Sequence, residues 1–476
     1  MQAWQTMWPY LQAYWPGLLA FLGFVLAVSL MVHVVLSKKD PRSAAAWLGI
    51  IWLVPFVGSV LYLMMGVNRI QRRAQQLVGE EEELDLPAQV AAKSARPQSE
   101  HFARLADLTE RLTGNKLLAG NSITPMPAPQ AYASILAAIE KAEESIFMTT
   151  YIFANDKAGK PLVQALARAV KRGVKVRVLI DGMGSLYSFP PVVHRMRWRK
   201  VTVERFLYSL TPWRMPYLNL RNHRKILVID RTVGYTGGMN IRAGYLAQPP
   251  NTLDMHMKLQ GPVVGHLLNS FTADWYFTCR EGLNERYEGP AVAGNVDARG
   301  ISAGPDVDLG KRRLVLLAAI GSAQKEIRIM TPYFVPDVTL LTAIELAALR
   351  GVKVKIILPQ KNNILLAHWA AMHLLPWLVN DGCEVYFVPP PFDHTKLMTV
   401  DGQWALFGSG NWDARSLRLN FEFDVETYDE TLVGQLNQHM DERLRVAEPL
   451  GAAAIAKRGL LTRIRNGLAY VLEPYL

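Results

Sequence analysis

Cysteine is almost missing from this chain: there are two, Cys279 and Cys383, far apart and without a C-x-x-C spacing. That excludes a disulfide framework and a thiolate zinc site. Charge is sparse as well, at 20% of residues, while half of the residues are apolar. Disorder over most of the length is thereby excluded, and so is a collagen or coiled-coil rod. Acidic residues are the scarcer sign, 41 Asp and Glu against 52 Lys and Arg, a net charge of +11. An excess of that size points to an anionic partner, with nucleic acid and acidic lipid as the two candidates. The 476 residues leave room for two or three domains and a sizeable core.

The most local absence lies at the start, where no Asp, Glu, Lys or Arg occurs from Met1 to Ser37. Gly17 to Leu36 is nearly all apolar, and twenty helical residues at about 1.5 Å rise span about 30 Å, one hydrocarbon core. After the turn Lys38-Lys39-Asp40-Pro41-Arg42, a second uncharged stretch runs from Ser43 to Asn68 and closes with Arg69, Arg72 and Arg73. A cleaved signal peptide would begin with positive charge, carry a shorter apolar region and lead into soluble sequence. The alternative of a buried core hairpin stands beside the one preferred, a two-helix transmembrane hairpin over residues 1–73 with Trp4, Trp8, Trp15, Trp47 and Trp52 near the interfaces. The cations in the turn and after the second stretch tie by the positive-inside rule. A hairpin returns the chain to its starting side, and the expectation is a multi-pass membrane protein with its large part on the cytoplasmic face. Residues 74–117 read as a connector, with the acidic run Glu80 to Glu83 and an amphipathic helix carrying Phe102, Leu105, Leu108 and Leu112, taken as a solvated tether.

An internal repeat follows. Arg172-Gly173-Val174-Lys175-Val176 returns as Arg350-Gly351-Val352-Lys353-Val354, and Met148-Thr149-Thr150-Tyr151 as Met330-Thr331-Pro332-Tyr333. Strand, alanine-rich helix and strand succeed one another in both copies, which implies α/β units with a parallel or mixed sheet. The copies are placed at 118–296 and 297–446, and a basic amphipathic tail at 447–476, where Lys457, Arg458, Arg463 and Arg465 alternate with leucines as on an interfacial helix.

Each copy carries H-x-K-x-x-x-x-D: His223, Lys225 and Asp230, then His394, Lys396 and Asp401. Gly237 and Asn240 lie 14 and 17 residues beyond the first His, and Gly408 and Asn411 lie 14 and 17 beyond the second. Residues two apart on an extended segment point to one side, so His and Lys of each copy face one cavity. If the copies pack about a pseudo-twofold axis, the site holds two imidazoles, two ammonium groups and two carboxamides. That set suits a phosphoryl group, with Lys and Asn on its nonbridging oxygens and the imidazoles available for covalent and proton-transfer work. It requires no metal ion and no cofactor. A lone histidine on a strand is more often structural; a matched pair in a duplicated unit points to catalysis. Asp230 and Asp401 end their strands and read as structural, and His194, His256, His368 and His373 show no partner pattern.

The paired motifs resemble the phospholipase D superfamily, and with the N-terminal stretches and Gly408-Ser409-Gly410-Asn411 running on to Glu422 the chain is similar, from about residue 10 to 446, to its bacterial cardiolipin synthase family. The resemblance implies duplicated phospholipase D-like α/β units behind a membrane anchor, a phospholipid bilayer as partner and no nucleic acid. It implies phosphatidyl transfer between two phosphatidylglycerol molecules, as donor and acceptor, through a phosphatidyl-histidine, with His223 as nucleophile and His394 as acid and base. It also implies a carboxylate on each imidazole: Glu422, 28 residues after His394, and Asp254, 31 after His223, as its counterpart in the first copy. Gly238 departs from the pattern where Ser409 keeps it. Tyr151 and Tyr333 either line the cavity or belong to the core. Competing functions are a phospholipase D-type hydrolase, another phosphatidyltransferase and a membrane-tethered nuclease, to which the positive charge is equally suited.

Overall fold

The computed structural model describes residues 2–38, 41–66, 93–208, 220–305 and 308–472. Chain contacts divide the described residues into an N-terminal helical unit within residues 1–73 and a large unit that holds those from Lys93 onwards.

In the N-terminal unit one helix runs from Gln2 to Ser37, and its segment Tyr14–Ser37 is, among the described residues, the one helix long and apolar enough to cross a membrane. The second uncharged stretch is not a single helix. It forms Pro41–Leu53 and Pro55–Leu61, followed by a turn of π-helix at Tyr62–Gly66. Proline lacks the N–H that would continue the ladder, and its ring clashes with the preceding turn; Val54 accordingly leaves helical geometry at φ −135°. Asn68, the expected end of the second span, lies outside the described residues. Ala27, Leu30 and Val34 pack with Trp47, Ile51 and Tyr62.

The large unit is built on a sheet of 16 strands among the described residues; setting aside the extra edge strand Glu448–Pro449 and the off-path strand Arg221–Asn222, the order reads the same from either side to the middle. From one edge inwards come Val203–Phe206, Lys175–Asp181, Ser145–Thr150, Ile226–Ile229, Val233–Gly237, Met255–Gln260 and Leu118–Pro127. From the other come Glu384–Val388, Lys353–Pro359, Glu326–Met330, Leu397–Val400, Trp404–Gly408, Asn420–Thr427 and Val296–Ala303. The halves join where Leu118 opposes Ala298 in an antiparallel pair. The parallel neighbours Ser145–Thr150 and Lys175–Asp181 are connected by the helix Gly159–Lys171, and Glu326–Met330 and Lys353–Pro359 by the helix Val338–Leu349. The motif strands Ile226–Ile229 and Leu397–Val400, apolar except for Thr399, are buried at every residue.

Two small parallel pairings stitch the repeats together. Arg221–Asn222, just before the first His, pairs with Asn420–Phe421 of the second repeat; Phe392–Asp393, just before the second His, pairs with Thr252–Leu253 of the first. The backbone N–H of His223 donates to Phe421 O at 2.9 Å, and that of His394 to Leu253 O at 2.8 Å.

The amphipathic helix of the connector is docked, not solvated. As Glu100–Thr113 it sinks Phe102 and Leu105 into the core of the second repeat, while Leu108 stays exposed. Fully buried Arg299 holds it, donating to Ala106 O and Asn115 O and ion-pairing with buried Glu426. The charge pattern of that region resembled a linker, but burial of its apolar stripe outweighs it.

Candidate active site

Each motif strand is anchored by its terminal aspartate. Asp230 and Asp401 both take left-handed backbone geometry, φ 47° and 53°, at the turn that follows the strand. The Asp230 carboxylate accepts the N–H groups of Glu143, Glu144 and Ser145, and that of Asp401 those of Gln324, Lys325 and Glu326. Both side chains are therefore engaged in fixing the motif strand against its neighbour, Ser145–Thr150 or Glu326–Met330.

The histidines lie where each motif leaves its stitched two-residue strand, and both are buried. Nδ1 of His223 is 3.0 Å from both carboxylate oxygens of Glu422; Nδ1 of His394 is 3.0 Å from Oδ2 of Asp254. The pairs cross. Counting along the chain assigns Glu422 to the copy of His394 and Asp254 to the copy of His223, yet each imidazole is held by the carboxylate of the other repeat. The crossing follows from the stitching, because the strand carrying each carboxylate is the one against which the opposite histidine is hydrogen-bonded. Glu422, held ionised, only accepts, so it fixes the proton of His223 on Nδ1 and leaves Nε2 as the reactive ring nitrogen.

The two halves differ at the position after the motif glycine. Ser409 donates from Oγ to Glu422 at 2.6 Å, and Asn420 donates to the same carboxylate at 3.2 Å. In the first half the position is Gly238, and a Cβ there would stand 2.6 and 2.7 Å from the Asp254 oxygens and 2.9 Å from His394 O. The absent side chain makes the space that the Asp254 carboxylate fills.

Electrostatics follow this asymmetry. Burial works against ionised Glu422, but His223, Lys225 and the Ser409 hydroxyl hold it down to about 2. Asp254 is equally buried and, among the described residues, accepts no hydroxyl hydrogen bond like the one Ser409 gives Glu422; burial pushes it well above the usual carboxylate range despite Lys396. His223 is lowered to about 4, by burial first and then by Lys225, against the pull of Glu422. Burial, Lys396, Lys225 and His223 together hold His394 well below its ordinary value. Lys225 falls to about 7 and Lys396 to about 8, both chiefly through burial. Lys225 feels Lys396, Glu422 and Asp254 alike, so the charges of the two motifs share one site. An anion placed between the ammonium groups would relieve their mutual repulsion.

Lys225 Nζ donates to His223 O at 2.7 Å, and Lys396 Nζ lies 2.8 Å from His394 Nδ1. Asn240 is buried and accepts from Ile152 N at 3.2 Å; Asn411 is buried with Oδ1 unpartnered among the described residues. Tyr151 packs edge-on to His223 with ring centroids 5.1 Å apart, and Tyr333 and Tyr245 flank His394 at 6.3 and 6.4 Å. Of the histidines without a pattern, His256 is buried beside Gly237, His194 is exposed, and His373 stacks on Tyr470. Sequence reasoning missed a clamp behind the second motif. Buried Arg312 pairs with Asp424 and donates to Gly410 O and Asn411 O, both at 2.8 Å. It missed Asp181 too, which accepts the N–H of Asn222 at 2.8 Å and those of Met183 and Gly184 at 3.0 Å. Asp424, two residues after Glu422 on an alternating strand, carried a faint signal; Arg312 and Asp181 carried none.

Comparison with known proteins adds the following. The family described as "Cardiolipin synthase, PLD-like domain" matches residues 135–275 and 316–444, and "Phospholipase D-nuclease N-terminal" matches 25–66. A cardiolipin synthase of Geobacillus sp. (strain WCH70) is 32% identical over 484 residues, covering 97% of this chain and 95% of its own. Cardiolipin synthase 2 of Staphylococcus epidermidis is 31% identical over 94% of this chain and 95% of its own. Among solved structures, phosphatidylserine synthase from Haemophilus influenzae Rd KW20 overlays with a TM-score of 0.61 at 15% identity, over 78% of this chain and 100% of that one, a likeness of fold.

Proposed function

The chain belongs to the cardiolipin synthases of the phospholipase D superfamily, and on that premise we propose that it moves a phosphatidyl group from one phosphatidylglycerol to another, releasing glycerol and forming cardiolipin. The observation that carries this reading is the crossed pair of buried imidazoles, each with Nδ1 on a carboxylate of the opposite repeat. Two imidazoles, each oriented by a carboxylate, and two ammonium groups around one site are what a double displacement at phosphorus needs.

His223 is assigned as nucleophile because Glu422 is the carboxylate held ionised. Its Nε2 attacks phosphorus while the bond to the glycerol oxygen breaks, and His394 gives that oxygen a proton. In the second half the terminal hydroxyl of another phosphatidylglycerol loses its proton to His394 and attacks phosphorus. The P–N bond breaks, cardiolipin leaves, and no proton is consumed overall. His394 must be charged for the first half, and the field of Lys225 and Lys396 opposes that in the free site; the incoming phosphodiester anion offsets this field. Lys225, Lys396, Asn240 and Asn411 hold the nonbridging oxygens.

The protein is membrane-associated, with Tyr14–Ser37 as its anchor. The Pro55-broken segment is read as the returning arm of a hairpin that keeps the catalytic unit on the cytoplasmic face. Purified protein incubated with labelled phosphatidylglycerol alone is expected to yield cardiolipin and glycerol in equal amounts. Phosphatidic acid as the sole lipid product would replace this reading with hydrolysis. His223→Asn and His394→Asn should each abolish turnover in folded, membrane-bound protein, and normal activity in both would discard the mechanism.

A further inference from the structure

Beyond each outer parallel strand the chain makes an apolar tip, and the tips occupy matching places in the two repeats. The eleventh residue beyond the first of strand Lys175–Asp181 is Leu186, and that of Lys353–Pro359 is Ile364. Leu186, Tyr187 and Phe189 are exposed in one, Phe189 almost completely at 97%; Ile364, Leu365 and Leu366 are exposed in the other.

Neither tip hangs loose. Asp181 ties Met183 N and Gly184 N to Asn222 N, the residue before His223, and Asn155 N donates to Ser188 Oγ at 2.9 Å. Tyr187 lies edge-on to Tyr151 with centroids 6.1 Å apart, and Tyr151 meets His223. On the other side Asn362 donates to Pro332 O at 2.7 Å, Ile364 N donates to Asn362 Oδ1, and Tyr333 Oη donates to Asn363 Oδ1 at 2.7 Å. The Tyr333 ring in turn faces His394. Each imidazole is thus joined through one tyrosine to one exposed apolar tip of its own repeat.

Charge identifies the occupant. No Asp or Glu occurs from Gly182 to Val203, where Arg195, Arg197, Arg199 and Lys200 follow the tip, and none from Pro359 to Asn380. A basic surface free of acids is repelled by a second copy of itself, and it suits an anionic lipid headgroup layer with acyl chains beneath.

We infer that the two tips enter the bilayer on either side of the site and hold the paired imidazoles at headgroup depth, so that both lipid phosphates are reached without leaving the membrane. This rests on the lipid-transfer reading above and adds the surface that presents the substrates. The full chain, with Cys279→Ser, is reconstituted in vesicles of phosphatidylglycerol and phosphatidylcholine and spin-labelled at Phe189→Cys or Leu365→Cys. Leu349→Cys serves as reference, an exposed position at the C-terminal end of the crossover helix Val338–Leu349. Collisions with oxygen, which concentrates in acyl chains, should exceed collisions with a water-soluble nickel chelate at 189 and 365, and the order should reverse at 349. Nickel accessibility at either tip equal to that at 349 overturns the proposal. The readout needs no turnover: tips in water while cardiolipin forms removes the inference alone, whereas buried tips without cardiolipin count against the transfer reading alone.

Discussion

Glycine 238 and serine 409 occupy corresponding places and do opposite things, one by leaving space and the other by donating a proton. Gly238→Ser should place a Cβ against Asp254 and cost about 1–3 kcal/mol of stability through overpacking, read as a lower Tm together with lost turnover. Ser409→Ala removes a hydrogen bond to a buried carboxylate, worth about 1.5–3 kcal/mol, and should raise the Glu422 pKa. A Gly238→Ser variant as stable and active as the parent would contradict the packing. The lysines and His394, which must be charged, set the alkaline side of the pH dependence. The His223 imidazole must be neutral to attack and is lowered to about 4, while Lys225 and Lys396, at about 7 and 8, must stay charged to hold phosphate. Because kcat/KM reports the free enzyme, its alkaline side should begin with the discharge of His394, held well below the ordinary imidazole range, and fall further as pH rises through 7 to 8, with the acid limb near 4. The limb in kcat should lie at higher pH, since bound phosphodiester keeps the ammonium groups protonated. A kcat/KM profile still level beyond about pH 9 would show that the lysines do not carry the binding.

At the scale of elements, the strands of both motifs were legible because a short run of apolar residues, interrupted only by Thr399 in the second copy, between a cation and an aspartate has no helical period and reads as a buried strand. The terminal aspartates close those strands against neighbours more than 70 residues distant along the chain. Asp230→Ala or Asp401→Ala strands three backbone N–H groups, and either should lose about 1–3 kcal/mol for each donor that water does not reach. Chemical denaturation should show this as an earlier midpoint, with KM in the surviving fraction unchanged; a raised KM at full stability would assign them to the site instead. Two elements escaped the periodicity. The second apolar stretch reads as one span until Pro55 interrupts it, and the connector helix reads as solvated until its apolar stripe meets the second repeat.

For the molecule as a whole, the crossing of carboxylates means that neither repeat contains a finished site. A double-mutant cycle on stability, measured in detergent, should give a coupling of about 0.5–3 kcal/mol between His223 and Glu422 and between His394 and Asp254, and values near zero for the uncrossed combinations. Coupling that follows the uncrossed pairs would refute the crossing. The sequence by itself determined the duplication, the chemistry-bearing residues and the spacing that brings His and Lys of each motif to one side, because these depend on periodicity and residue type within short windows. Which carboxylate holds which imidazole, how Gly238 and Ser409 divide the two halves electrostatically, and where Arg312 and Asp181 reach were decided by tertiary structure alone. The crossed imidazole–carboxylate pairs join residues 140 and 199 positions apart through strand pairing between repeats, and no local pattern of side chains encodes a partner at that distance.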